Sequence, residues 1–410
     1  MWRWLLDRFV RQIIETGSLK VTYPDGSVGQ YGDGTGTTVH VTLHQTAIIP
    51  KLLRDPDLGV GEAYTDGTLT IENDDLRGFM TIALTNGKSR NGYWTQRILN
   101  AARKTFRWLQ QNNVMGRSKD NVAHHYDLSG ELYDLFLDAD KQYSCGYFPR
   151  RGMRLDEAQE AKKHHIARKL LIEPGMRVLD IGCGWGGMGL TLARDYGAEV
   201  VGVTLSEEQI KVAKERARAE GLEDKVDFRL QDYREVEGTF DRIVSVGMFE
   251  HVGVPYYREY FSHIHDKLTE DGVALIHTIG RAEPPGTTSS WIAKYIFPGG
   301  YVPALSEMMA RVEPEHLIAT DIEVWRLHYA ETLRQWEARF TANEDRAREL
   351  YDERFCRMWR YYLIACEMSF RHTGQVVFQV QLTHRHDAVP LSRDYLYRDD
   401  VPAEQRHAAE

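Results

Sequence analysis

Cysteine is scarce in this chain. Four of its 410 residues are cysteines, Cys145, Cys183, Cys356 and Cys366, with no C-x-x-C pair and no paired histidines at zinc spacing near them. Sparse, unpaired thiols suit a reducing compartment and speak against a disulfide framework or a zinc site; no metal is expected. Long apolar runs are missing too, since none approaches the ~18 residues of a membrane span. The opening "MWRWLLDRFVRQIIE" is interrupted by Asp7 and lacks a cleavage site, so it does not read as a secretory signal. Excess positive charge is absent overall: a net charge of −9 argues against a nucleic-acid binder.

One stretch reverses that balance. Between Lys88 and Lys119 stand eight basic residues and no acidic one, interleaved with Tyr93, Trp94, Phe106 and Trp108. A basic amphipathic segment carrying tryptophans suits an anionic membrane surface; a surface helix packed on its own protein is the plainer alternative. Residues 1–87 read as a small α+β domain, with strands in "SLKVTYPDGSVGQYGDG" and "TTVHVTLH" and a hairpin in "AYTDGTLTIEN". Residues 88–119 form the basic connector, 120–390 a larger catalytic domain, and 391–410 a polar tail.

Within the larger domain, short apolar strands alternate with helical stretches, the pattern of a mostly parallel sheet. Strands are expected at 177–182, 199–204, 226–230, 241–246 and 272–278, with another at 375–382. Ser206 is placed to cap the helix after the second of these. "VLDIGCGWGG", residues 178–187, is a strand running into a D-x-G-x-G-x-G turn and then a helix. Its spacing differs from the G-x-G-x-x-G of dinucleotide sites, and Asp180 before the first glycine suits a ligand with a cationic amino-acid end better than a pyrophosphate.

That loop, with "VTLSEEQ" after the next strand and "LQDY" after the third, resembles the class I S-adenosylmethionine methyltransferases. Further segments narrow the resemblance: "QYSCGYF", "RIVSVGMFEHVG", "LIHTIG", "WIAKYIFPGGYVP", "HYAETLRQWEARF" and "YYLIACEMSFR". Together they are similar to the cyclopropane fatty acid synthase family from about residue 120 to 382. The resemblance implies a Rossmann-like α/β fold with a seven-stranded, mostly parallel sheet and a helical lid, behind the small α+β domain. It implies transfer of a methylene from S-adenosylmethionine to the cis double bond of a phospholipid acyl chain.

Such chemistry needs a dry cavity, because the alkene becomes a carbocation on methylation, and a base to take a proton as the ring closes. From the resemblance, S-adenosylmethionine is expected at Tyr143, Ser144, Asp180, Gly182, Gly184, Trp185, Gly186, Thr204, Leu205, Ser206, Gln209, Gln231, Asp232 and Tyr233. The resemblance also implies a bound bicarbonate as base, held by Glu250, His277 and Tyr329 through side chains and by Cys145 and Ile279 largely through backbone groups. Cys366 matches a cysteine once regarded as a nucleophile, although no covalent step is required; its helical surroundings suit a buried wall residue. A homodimer lying peripherally on the cytoplasmic face of the membrane is expected. Two alternatives stay open: a lipid methyltransferase making methyl- or methylene-branched chains, and a small-molecule methyltransferase.

Overall fold

The structure, a computed structural model, describes residues 2–87 and 129–397. The basic stretch Lys88–Lys119 and the tail beyond 397 lie outside the described residues. Contacts gather the chain into two compact units that do not follow chain continuity. The first combines the amino-terminal segment with Gly286–Pro298 and Tyr329–Gln375; the second holds the remainder.

The first unit contains a four-stranded sheet ordered β2-β1-β3-β4, with β1 at Ser18–Thr22, β2 at Val28–Tyr31, β3 at Thr38–Leu43 and β4 at Leu69–Ile71. The β1–β2 hairpin turns at Gly26, whose φ of 80° suits glycine, in keeping with its Asp-Gly sequence. The expected hairpin at "AYTDGTLTIEN" is different. Ala63, Tyr64 and Thr65 end a helix, Pro56–Thr65, and only the second half forms β4. Asp55 caps that helix and Pro56 starts it. At Gly61 a Cβ would fall 2.2 Å from Trp291, so long-range packing against the 286–298 segment selects the helix here. The helix Glu353–His372 joins this unit, where Arg77 bridges the buried carboxylates of Glu337 (2.8 Å) and Glu367 (2.9 Å).

The second unit is built on a seven-stranded sheet ordered β10-β11-β9-β8-β5-β6-β7. Its strands are β5 (Arg177–Ile181), β6 (Glu199–Thr204), β7 (Val226–Leu230), β8 (Phe240–Val246), β9 (Leu268–Arg281), β10 (Ile318–Trp325) and β11 (Gln375–Thr383). The run β7-β6-β5-β8-β9 is parallel, and β10 is antiparallel to β11. Side chains alternate across the pleat. Leu179, Ile243 and Ile276 pack with Phe261, Ile264 and Met308 on one face. Val178, Val244 and Leu275 pack with Ile166, Leu190 and Ala213 on the other. Both faces are therefore covered by helices, and the class I methyltransferase architecture expected from the sequence is present. The chain leaves β5 toward β6 on one side and β8 lies on the other, so a crevice opens at the carboxyl end of β5.

Candidate active site

The crevice is a cleft of about 1240 Å³ of atom-free space, part of it open to solvent. It lies wholly within the second unit. Of the residues expected to hold S-adenosylmethionine, all but Gly186 and Ser206 line it. Those two serve the frame. A Cβ at Gly186 would fall 2.8 Å from the Phe228 ring, so this glycine lets the helix Gly187–Tyr196 pack down on the core. Ser206 accepts from Gln209 N and caps the helix Glu207–Ala219, as its position predicted. Gly184, with φ 55° and nothing within 4 Å of a built Cβ, is the glycine that leaves space open.

Asp180 stands at the end of β5 with 1 % of its surface exposed, and its Oδ2 has no hydrogen-bond partner among the described residues. Burial alone pushes its carboxyl up to about 7. A buried acceptor without a donor is costly unless a ligand completes it. The other loops are already tied. Thr204 donates to Gln209 Oε1 at 2.9 Å, and Gln231 donates to Glu235 O at 3.0 Å. Asp232 is bound by the Arg234 guanidinium, which holds its carboxyl below the ordinary value despite burial. His251, a further lining residue, is pulled down by burial to about 4 and stays neutral. A neutral imidazole does not repel a cationic ligand.

The loop carrying Tyr143 and Ser144 covers one side. Tyr143 meets Tyr133 edge to face at 5.4 Å, and Tyr133 meets Trp185 at 4.9 Å. Behind the loop runs the helix Leu155–Lys169, which supplies residues that the sequence reading missed. Gln159 Nε2 donates to the carbonyls of Gln142 (3.1 Å) and Ser144 (2.9 Å). Lys162, fully buried, donates to Gln142 Oε1 at 2.6 Å and Ser144 Oγ at 2.7 Å. A signal existed: Leu155, Ala158, Gln159, Lys162, Ile166 and Lys169 share one helical stripe, so the polar members occupy inward positions.

A second group of residues sits at the ends of β8 and β9. Glu250 lies in the short turn Phe249–His251 after β8, buried, with Oε1 accepting from Ile279 N at 2.6 Å. Its Oε2 has no hydrogen-bond partner among the described residues. Burial pushes Glu250 up to about 7, against the backbone N–H groups of Ile279 and Glu250 and the neighbouring Thr278 hydroxyl, which favour its anion. His277 and Ile279 share a face of β9, being two residues apart. The His277 ring is buried, meets Trp325 edge-on at 5.1 Å, and its Nδ1 accepts from Gln379 Nε2 at 3.0 Å. Burial, with Lys162 and Lys169 adding to it, holds this imidazole well below its ordinary value. Cys145 is buried, its thiol facing Gly146 O at 3.4 Å.

Tyr329 and Cys366 belong to the first unit. Tyr329 opens the helix His328–Ala342 and packs its ring on Phe370 (5.0 Å) and Trp336 (5.8 Å). Cys366 lies on the helix Glu353–His372, and burial pushes its thiol up to about 12, where no thiolate is available at neutral pH.

Comparison with known proteins bears on this arrangement. A family model described as mycolic acid cyclopropane synthetase matches residues 114–380. The chain belongs to this family. A second model, described as a domain of unknown function, matches residues 5–91. The cyclopropane-fatty-acyl-phospholipid synthase of Escherichia coli K12 is 40% identical over 332 residues, 80% of this chain and 84% of that protein. The tuberculostearic acid methyltransferase UfaA1 of Mycobacterium tuberculosis is 31% identical over 92% of this chain and 90% of its own length. Among solved structures, mycolic acid cyclopropane synthase CmaA1 complexed with SAH and CTAB superposes with a TM-score of 0.61 at 35% identity, covering 64% of this chain and 97% of that one. Membership in the cyclopropane synthetase family makes the chain an S-adenosylmethionine-dependent methyltransferase. Its residues fit such a ligand: the unpartnered Asp180 oxygen is an acceptor for an ammonium end, beside the open space at Gly184.

Proposed function

We propose that this enzyme adds a methylene to the cis double bond of unsaturated phospholipid acyl chains to form cyclopropane rings. The observation that carries the reading is a pair of neighbouring provisions in one unit. A cleft carries an acceptor for a cationic amino-acid end, and the turn after β8 carries a buried carboxyl with one oxygen unpartnered. The extended identity to the Escherichia coli phospholipid synthase supports the substrate class.

Bound S-adenosylmethionine supplies an electrophilic methyl group, and bound bicarbonate a small, exchangeable base. The chain's own residues do the rest. Asp180 binds the ammonium end, and Thr204, Gln209, Gln231 and Asp232 line the part of the cleft beyond β6 and β7. The buried aromatics exclude water, which would otherwise capture an electron-poor substrate carbon. Glu250, with Oε1 anchored on Ile279 N and a carboxyl titrating near neutrality, can carry a proton on Oε2 or accept one there. An anionic base beside it is therefore held rather than repelled. His277, kept neutral, adds a hydrogen-bonding group without a charge. We assign Cys145 to the same anion site on the strength of the family resemblance, and give Cys366 no chemical part.

We further propose that the enzyme acts as a homodimer, peripherally on the cytoplasmic face of the membrane, with Lys88–Lys119 as the lipid-facing basic stretch. No described helix is long and apolar enough to cross a membrane. The likeness to UfaA1 over most of both chains favours a second reading, a methyl- or methylene-branched product. Both start with the same methyl transfer; the cation then either closes on the new methyl as that methyl loses a proton, or shifts a hydride or loses a chain proton to leave a methylene- or methyl-branched alkene. Incubating the enzyme with labelled S-adenosylmethionine and vesicles of unsaturated phospholipid, then recording proton NMR of the fatty acids, separates them. Upfield ring protons are expected; vinylidene or branched-methyl protons would replace the first reading with the second, and unlabelled lipid would refute both. Vesicle binding is expected to weaken with salt and on charge reversal of Arg103, Lys104 and Arg107.

A further inference from the structure

The buried ammonium of Lys162 has no part in the chemistry above, yet it lies directly behind two residues of the cleft wall. Its Nζ donates to Gln142 Oε1 (2.6 Å) and to Ser144 Oγ (2.7 Å), and both acceptors line the cleft. An ammonium group has three protons and no lone pair, so Ser144 Oγ is compelled to accept from it. The hydroxyl's own proton is then directed to some other acceptor. Among the described residues Ser144 Oγ takes part in no hydrogen bond except the one from Lys162. Ser144 thus presents a donor to the cleft, backed by a positive charge, while Asp180 presents an acceptor with no donor among the described residues. A donor backed by a cation and an isolated carboxylate are the two halves of a site for a zwitterionic amino-acid group.

We propose that Lys162 is a positioning residue that fixes the Ser144 hydroxyl as a donor to the carboxylate of the cofactor's amino-acid end, while Asp180 takes its ammonium. This rests on the S-adenosylmethionine reading of the cleft. The arrangement is maintained from behind: Lys163 pairs with Asp140 at 2.8 Å, and Arg216 binds both Asp140 and the Trp185 carbonyl. The loop's placement therefore does not depend on Lys162 alone. Burial pulls Lys162 down to about 8, against the attraction of Asp138 and Asp140, so it remains mostly charged at neutral pH.

The test compares two ligands by calorimetry: S-adenosylhomocysteine, which carries the amino-acid end, and 5′-methylthioadenosine, which lacks it. Lys162→Met is expected to weaken S-adenosylhomocysteine about tenfold or more and to leave methylthioadenosine within about twofold, a loss on the scale of one charge-assisted hydrogen bond. Ser144→Ala is expected to show the same selectivity, and the double variant to lose little more than either single one. Equal weakening of both ligands by Lys162→Met would mean that it only holds the loop, and would overturn the proposal; so would no loss at all. Should Lys162→Met fail to fold, Ser144→Ala decides alone: unchanged S-adenosylhomocysteine affinity sinks the idea. Wild-type enzyme that binds neither ligand refutes the cofactor reading itself, and the proposal with it. Wild-type enzyme that binds both equally refutes only the proposal.

Discussion

Asp180, at the end of β5, and Glu250, in the turn after β8, are both buried carboxyls that burial pushes up to about 7, and each keeps an oxygen unpartnered among the described residues. The difference lies in what the fold offers each of them. Among the described residues none gives Asp180 a hydrogen bond that would favour its anion, and burial is what pushes it up. Glu250 has one oxygen anchored by Ile279 N at 2.6 Å. A bare buried carboxyl is completed by a cation, and its proton leaves as the cation arrives. A half-anchored one can keep a proton on its other oxygen and face an anion. The same perturbation thus acts on two carboxyls whose hydrogen-bond environments differ, and in the proposed function they serve opposite charges.

The largest expected effect comes from removing the anion side. Glu250→Gln should lower turnover about 10³-fold, the scale of general acid–base assistance, with S-adenosylhomocysteine affinity unchanged by titration calorimetry. Loss of affinity instead would erase the distinction between the two carboxyls. Asp180→Asn should do the reverse, weakening S-adenosylhomocysteine roughly 10- to 100-fold through the lost charged partner. An unchanged dissociation constant would show that Asp180 is not the cation's partner.

A pH series sharpens the comparison without a ligand. The unfolded chain ionises Asp180 from its ordinary value of 3.8 upward, whereas the fold keeps the proton until about 7. The folded state therefore loses stability as pH rises between these values, on the order of 4 kcal/mol in total, and the loss is complete above them. Asp180→Asn should accordingly raise Tm at pH 8 by several degrees over wild type, the gap closing toward pH 4. A gap that stayed constant with pH would place the effect in packing rather than ionisation. The smallest effect is expected at Cys366, whose thiol is pushed up to about 12 by burial. Cys366→Ser should change turnover by less than about threefold; a loss beyond tenfold would return this residue to the chemistry.

Much of the second unit is legible in the sequence. β6 and β7 coincide with the expected strands, and β5, β8 and β11 differ from expectation by one residue. These segments are short, apolar and punctuated by glycine or a capping serine, so local rules and the global fold agree. β9 is longer than expected, Leu268–Arg281 against 272–278; its pairing with β8 begins at Leu268 and, after a break in register, runs from Val273 to His277. The helical turn at Ala63–Thr65 reads locally as strand because the packing partner of its helix, Trp291, is more than two hundred positions away. Lys162 escapes a sequence reading because a lysine ordinarily marks solvent.

By itself the sequence determined the sheet's strands, the glycine turn and the acidic residue before it, since each depends on neighbours within a few positions. Only the tertiary structure decided that Asp180 is bare while Glu250 is anchored, that Lys162 lies behind Ser144, and that the contacts divide the chain into units its order does not suggest. These depend on which distant groups meet and on how much water remains between them, and neither quantity is written in any local run of residues.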